Sequence, residues 1–325
     1  SDPAFRCQIK LEPRSGCAVC NGYPGHLQAL DLWTQTVRWT HEVVPYVRVS
    51  RTETHTKMFA PSVSLYEYAT SVAGESLLAT LDVRRGAEGE HGSSLKFWTW
   101  ETSKSSYRLA AQVENPHGSS RVAAIAFSKK AGAASVDGGM VCASGGADGT
   151  IKLWTSQPTD ANHPSGSGYN RPRSNSIGGG RDRSGSFSRR SLGWVCAFSF
   201  RHKDCGVMGL AFSRDGSLLA VAQENVVSLW VPSDVSLRAS LVAPCADPVT
   251  FVSFVEPHAQ NSMGGGGGEA LIVVGTRSCL AVFDLLSLKL RWSVAGKFSA
   301  FASASSENDA LPYETTAGVQ YGYIA

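Results

Sequence analysis

Short runs of alternating apolar and polar residues recur along the chain, separated by turns that carry glycine, asparagine and aspartate. In Thr150-Ile151-Lys152-Leu153-Trp154 the alternation puts Ile151 and Leu153 on one face of a strand. Ala147-Asp148-Gly149 precedes it, and Asp-Gly predicts a two-residue type I′ hairpin turn, in which both central residues need positive φ. The stretch therefore reads as the second half of a β-hairpin that ends on a bulky aromatic. No long stretch has an apolar period of 3.6, so helices are expected to be scarce.

The aromatic recurs. Strand-like runs close at Trp33 (HLQALDLW), Trp98 (SLKFWTW), Trp154 (GTIKLW), Trp230 (NVVSLW) and Phe283 (CLAVFD). Each is followed by a second alternating run: TVRWTHEV, YRLAAQV, WVCAFSF, VSLRASLVA and LKLRWSVAG. Each is preceded by an apolar strand and a turn, most plainly in VMGLAFSRDGSLLAVAQENVVSLW, where Asp215-Gly216 reverses the chain. From Trp154 to Trp230 is 76 residues, and excising the 37 residues of 156–192 leaves 39. That approaches the roughly 40–45 residues of a four-stranded WD-repeat blade. The predicted fold is thus all-β, a WD-repeat β-propeller, in which radial repetition leaves only short sheet edges. Five blades are expected at about 4–44, 58–113, 119–200, 206–243 and 249–295, with a sixth cut short at 298–325. Rings of this class usually close with seven, and the Ser-Asp-Pro start suits a fragment of a larger protein. In the third blade His117, Ser144, Asp148 and Trp154 are candidates for one structural hydrogen-bond set, with Asp148 at a tight turn held by the histidine and the strand tryptophan. On that reading Asp148→Ala costs about 1–3 kcal/mol, the range for orphaning a buried polar partner.

Composition narrows the functional classes. The 325 residues are 42% hydrophobic and 18% charged, enough for a sizeable core. No apolar run approaches a membrane span and no basic-then-apolar leader is visible. Eight cysteines lie scattered, mostly in apolar runs, as expected of buried small side chains in a reducing compartment, cytosol or nucleus. Cys17-Ala-Val-Cys20 with His26 nearby invites a zinc reading, but a structural site needs four ligands and the sequence offers no second pair. Glycines 264–268 lack the Lys-Ser/Thr of a phosphate-binding loop, so 258–269 reads as a Gly-rich insertion. There is no Gly-x-Ser-x-Gly elbow and no paired acid and base, so catalysis, a cofactor, a small-molecule substrate and a bound metal are not expected.

The net charge of +3 resides in one segment. Residues 156–192 hold six arginines, Arg171, Arg173, Arg181, Arg183, Arg189 and Arg190, against Asp160 and Asp182, which leaves −1 for the rest. Rich in Ser, Gly and Arg, the segment cannot bury enough surface to offset its ordering entropy and is expected to be a disordered loop. Its arginines could follow an RNA backbone through bidentate phosphate contacts without reading sequence. It reads equally as a solvated spacer, or as a substrate for basic-directed kinases at Ser174, Ser186 and Ser191.

VCNGYPGHLQALDL (19–32), TIKLWT (150–155), LGWVCAFSF (192–200), HKDCGVMGLAFSRDGSLLAVAQENVVSLW (202–230) and DLLSLKLRW (284–292) occur in this order. Together they resemble the second propeller of the tandem-propeller WD-repeat subunit of UtpA (t-Utp), a subcomplex of the U3 small nucleolar ribonucleoprotein-containing small-subunit processome. The resemblance spans about 4–311, is patchy over 45–93 and departs at both low-complexity segments. It implies a nucleolar, non-enzymatic scaffold that joins other UtpA and processome subunits on the 5′ external transcribed spacer of nascent pre-rRNA. The role implied is in 18S rRNA maturation, with a link to RNA polymerase I transcription. The alternative reading is a propeller adaptor of another complex, such as a ubiquitin-ligase substrate receptor or a vesicle-coat subunit.

Overall fold

The structure, a computed structural model, describes residues 8–45, 62–71, 74–85, 91–129, 139–158, 192–255 and 270–297. These form five four-stranded antiparallel sheets, each with its strands in chain order. The first contains β1 (Lys10–Leu11), β2 (Ala18–Asn21), β3 (His26–Asp31) and β4 (Thr36–Glu42). The second contains β5 (Ser62–Thr70), β6 (Ser76–Arg85), β7 (His91–Glu101) and β8 (Ser106–Glu114). The third contains β9 (Val122–Phe127), β10 (Val141–Gly146), β11 (Thr150–Pro158) and β12 (Leu192–Arg201). The fourth contains β13 (Val207–Phe212), β14 (Leu219–Gln223), β15 (Val226–Val231) and β16 (Ser236–Val242). The fifth contains β17 (Val249–Val255), β18 (Leu271–Thr276), β19 (Cys279–Asp284) and β20 (Leu290–Ala295). No helix occurs among the described residues.

The sheets are the blades of an all-β WD-repeat propeller. From the second blade to the fifth, first strands pack side by side, β5 on β9, β9 on β13 and β13 on β17. Middle strands bury both faces, which is why LAVAQ and VVSLWV read as nearly continuous apolar runs. One core lies in each gap between blades. Val19, Leu27 and Ala29 meet Tyr66, Leu78 and Trp98, and Leu81 and Phe97 meet Ile125, Phe127 and Trp154. Ile151 and Leu153 meet Val207, Leu219 and Val221, and Ala222 and Leu229 meet Val252, Ile272 and Phe283. The far face of the fifth blade carries its own apolar set, Val273, Leu280 and Val282 with Phe251. Trp292 and Val294 extend it, opposite Val282 and Leu280 in register and 42% and 45% exposed.

A bulge recurs between the third and fourth strands of every blade, at Ala29/Leu30, Phe97/Trp98, Leu153/Trp154, Leu229/Trp230 and Val282/Phe283. It sets the register of the recurring aromatic and corrects one expectation. In the first blade Leu30 occupies that position, whereas Trp33 lies in the following turn, 95% exposed. The strand stops at Asp31 because its carboxylate accepts the amides of Trp33 and Thr34 at 2.9 and 3.2 Å.

The turn after the third strand is also shared. In the first, second, fourth and fifth blades, four residues separate the last paired positions, Asp31 from Thr36, Glu101 from Ser106, Val231 from Ser236 and Asp284 from Lys289. The last residue of each turn has positive φ: Gln35 56°, Ser105 49°, Val235 55° and Leu288 57°. The third blade instead carries 159–191 between Pro158 and Leu192, which still pair. Residues 156–158 and 192 are therefore strand, not loop, because the cross-strand ladder from Ser156↔Trp194 to Pro158↔Leu192 claims them. The rest of the expected loop, the Gly-rich 258–269 and the expected sixth blade at 298–325 lie outside the described residues.

Candidate functional site

The third blade assembles the predicted polar set on its first connections. Ser144, on β10, is fully buried, and its hydroxyl accepts the Trp154 Nε1–H at 2.9 Å. That leaves the hydroxyl proton for His117 Nε2, 2.8 Å away. The imidazole then carries its own proton on Nδ1, which faces Asp148 Oδ1 at 3.9 Å. His117, Ser144 and Trp154 thus form one hydrogen-bonded chain, and Asp148 stands at its end as an ionic neighbour rather than a bonded partner. Burial, opposed by the Asp148 charge, pushes His117 down to about 4.

Asp148 spends its carboxylate locally, on the Thr150 amide at 3.1 Å and the Thr150 hydroxyl at 2.8 Å. Partial burial works against its ionisation, but these bonds prevail and hold the carboxyl below its ordinary range. They also change the turn. Only Gly149 has positive φ, 81°, and its amide bonds the Gly146 carbonyl. The connection is therefore a three-residue loop, Ala147-Asp148-Gly149, and not the two-residue type I′ turn that Asp-Gly predicts. The aspartate's own side chain satisfies the turn without asking Asp148 for positive φ. A Cβ on Gly149 would stand 2.4 Å from the Lys203 carbonyl oxygen. One on Gly146 would stand 2.2 Å from Asp148 Oδ1 and 2.6 Å from His117 Nδ1, so that glycine keeps the gap between them open.

Reduced versions occur in two neighbours. Trp98 Nε1 donates to Thr80 and Trp230 Nε1 donates to Ser228, each at 2.9 Å. The repetition marks these sets as blade-core fasteners, with every indole of the series given an acceptor on its own sheet. Within the set the Ser144 hydroxyl and the Trp154 indole serve each other, and His117, neutral at physiological pH, is occupied on Nε2.

Two buried sets were not anticipated. Lys96 lies 2.9 Å from Asp82, both almost wholly buried, and donates to the Val43 carbonyl at 2.8 Å, tying the first blade to the second. Glu12, also fully buried, accepts the Tyr107 hydroxyl at 2.7 Å and the Ser15 hydroxyl, while Arg14 pairs with it and stacks 3.6 Å from the Trp100 ring centre. The signal for the first was present, since ATLDV and SLKFW each place one charge in an apolar strand. A buried charge persists only when paired.

The cysteine motif is dispersed. Cys17 packs in the core between the first two blades, whereas His26 lies beside the Pro24 carbonyl at 2.9 Å and 4.0 Å from Glu42. Among the described residues no three His, Cys, Asp or Glu side chains are grouped to hold a metal ion. The arginines expected to touch RNA, Arg171, Arg173, Arg181, Arg183, Arg189 and Arg190, lie outside the described residues, in the segment between the paired positions Pro158 and Leu192.

The chain is similar to WD repeat-containing protein 75 of Danio rerio, 24% identical over 294 residues, which cover 90% of this chain and 29% of the relative. It is similar to the human protein of that name, 24% identical over 222 residues, 68% of this chain and 22% of the relative. With the Xenopus laevis protein it shares 22% identity over 236 residues, 72% of this chain and 24% of the relative. The chain thus spans less than a third of the length of these relatives. Residues 9–170 and 182–314 match the family described as the WD repeat-containing protein 75 second beta-propeller, and the break falls inside the Arg/Ser segment. A match of this extent over a propeller of this construction makes the chain a member of the WD repeat-containing protein 75 second beta-propeller family.

Proposed function

We propose that this propeller is a non-enzymatic scaffold in small ribosomal subunit biogenesis, holding UtpA and processome partners on the 5′ external transcribed spacer of pre-rRNA in the nucleolus. The observation that carries the reading is membership of the WD repeat-containing protein 75 second-propeller family. The use of the buried polar groups supports the scaffold half of it. His117, Ser144, Trp154, Lys96 and Asp82 are consumed in holding blades together and offer no converging acid, base or nucleophile.

Partner proteins engage the loops and edges of near-neutral blades, and RNA contact belongs to the Arg/Ser insertion, which carries the chain's excess positive charge. In that assembly the protein serves 18S rRNA maturation and is linked to RNA polymerase I transcription. Native purification of the tagged protein, followed by mass spectrometry and RNA sequencing, tests this. Recovery of UtpA subunits, the U3 ribonucleoprotein and 5′ spacer RNA is expected. Recovery of ubiquitin-ligase or coat subunits without pre-rRNA would replace the reading with that of an adaptor in another complex.

A further inference from the structure

The connection from the fourth blade to the fifth, 243–248, and the turn between β18 and β19 are stitched together by side chains. Ser278 donates to Asp247 at 2.5 Å. Cys245 lies 3.1 Å from the Thr276 hydroxyl. That hydroxyl accepts the Cys279 and Ser278 amides at 3.0 and 3.3 Å and lies 3.2 Å from the Cys279 carbonyl oxygen. Burial first, and then the Cys245 thiol near it, raise the Cys279 thiol above its ordinary range. Two cysteines separated by 34 positions in the chain are therefore linked through the Thr276 hydroxyl, the Cys245 sulfur on one side of it and the Cys279 backbone on the other, with Cys279 buried and Cys245 partly open to solvent.

We propose that Cys245 and Cys279 are an oxidisable pair that closes to an intramolecular disulfide when the protein meets a hydroperoxide. Cys245, the more accessible, attacks the peroxide oxygen as its thiolate. One O–O bond breaks, the sulfur becomes a sulfenic acid, and the departing hydroxide is protonated to water. The Cys279 sulfur then attacks the sulfenic sulfur and expels a second hydroxide, which takes up the proton that Cys279 loses. The two thiols give up two electrons and two protons, and one hydrogen peroxide becomes two waters. The disulfide brings the two sulfurs to about 2 Å. Burial holds the Cys279 thiol above its ordinary range, which suits it to the second role, attack on an activated sulfur beside it, rather than the first. The product is a clasp that locks the connection between two blades to the rim of the second, with β17, β18 and the Gly-rich insertion enclosed in the covalent ring.

Tryptic mapping reads this directly. Cleavage after Arg238, Arg277 and Lys289 puts the two cysteines on separate peptides, 239–277 and 278–289. After treatment with hydrogen peroxide and alkylation of remaining thiols, the two peptides should appear joined and lighter than their sum by two hydrogens. Cys245→Ser should abolish the joined species and leave Cys279 alkylated. Cys279→Ser should leave a Cys245 sulfenic acid that dimedone labels. Separately alkylated peptides after peroxide, or linkage of either peptide to the exposed Cys196, would overturn the proposal.

Discussion

Ser144 is the hinge of the third-blade hydrogen-bond chain, since its hydroxyl serves both Trp154 and His117. Ser144→Ala orphans two buried nitrogens at once and should cost about 2–3 kcal/mol. Asp148→Ala should cost about 1 kcal/mol, the low end of the sequence-based expectation, because Asp148 bonds Thr150 and stands 3.9 Å from His117. Urea unfolding should rank them in that order, with lower midpoints and an unchanged slope; equal midpoints would place Asp148 inside the chain after all. Two histidines set a pH dependence. Burial is the main cause at both His41 and His117, and each is pushed down to about 4. Their unfolded value is near 6.5, so between these limits the unfolded chain binds more protons, and stability is full above the window and lost as pH falls through it. The loss should be up to about 3 kcal/mol per histidine. His41→Gln should remove about half of that dependence between pH 6.5 and 4; an unchanged pH profile would refute the assignment. Part of this was legible in sequence. Trp154 and Asp148 announce themselves by a strand-ending aromatic and an Asp-Gly turn. The partners at His117 and Ser144 follow from the fold, because nothing local links positions 27 residues apart. The same holds for Cys245 and Cys279, which no local pattern connects.

Strand order and blade limits were readable because alternation and turn residues are local signals, and each blade repeats them. Trp33 misled because side-chain periodicity cannot register a bulge. Once Ala29/Leu30 shifts the ladder, the aromatic slot falls on Leu30, and the next residues are free to turn on the Asp31 carboxylate. The four-residue turn shared by four blades explains what the insertion in the third blade replaces. Since Pro158 and Leu192 remain paired, the ends of 159–191 sit where a four-residue turn would begin and end. Replacing 159–191 with Thr102-Ser103-Lys104-Ser105 of the second blade should therefore leave the β-rich circular dichroism unchanged and the Tm within about 3 °C, since closure entropy changes only slowly with loop length. Cooperative unfolding lost, or a Tm far lower, would show that the insertion packs on the blade and contributes to its stability.

At the scale of the molecule, charge and construction are divided. Five described blades hold together through apolar gaps and buried polar fasteners, while the excess positive charge resides in one insertion. Deleting 165–190 should leave recovery of protein partners intact, reduce RNA crosslinking to this chain and flatten its salt dependence, because fewer phosphates are neutralised. Undiminished and equally salt-dependent crosslinking would move the RNA contact onto the blades, and loss of partners would make the insertion a protein-docking segment. The paired ends at Pro158 and Leu192 also act as a leash. Thirty-three residues fastened at two neighbouring points cannot carry their midpoint beyond about 60 Å, whatever path they take, because a fully extended chain advances at most about 3.6 Å per residue. Arg189 and Arg190 stand within three residues of the Leu192 anchor and so within about 11 Å of it. Any phosphate that these two arginines touch must pass close to the outer edge of the third blade, whereas Arg171, Arg173, Arg181 and Arg183 can reach several times farther. On the proposed RNA contact the insertion would act as a ruler. Crosslinks from its two halves should map to nucleotides at different distances from one fixed point on the propeller.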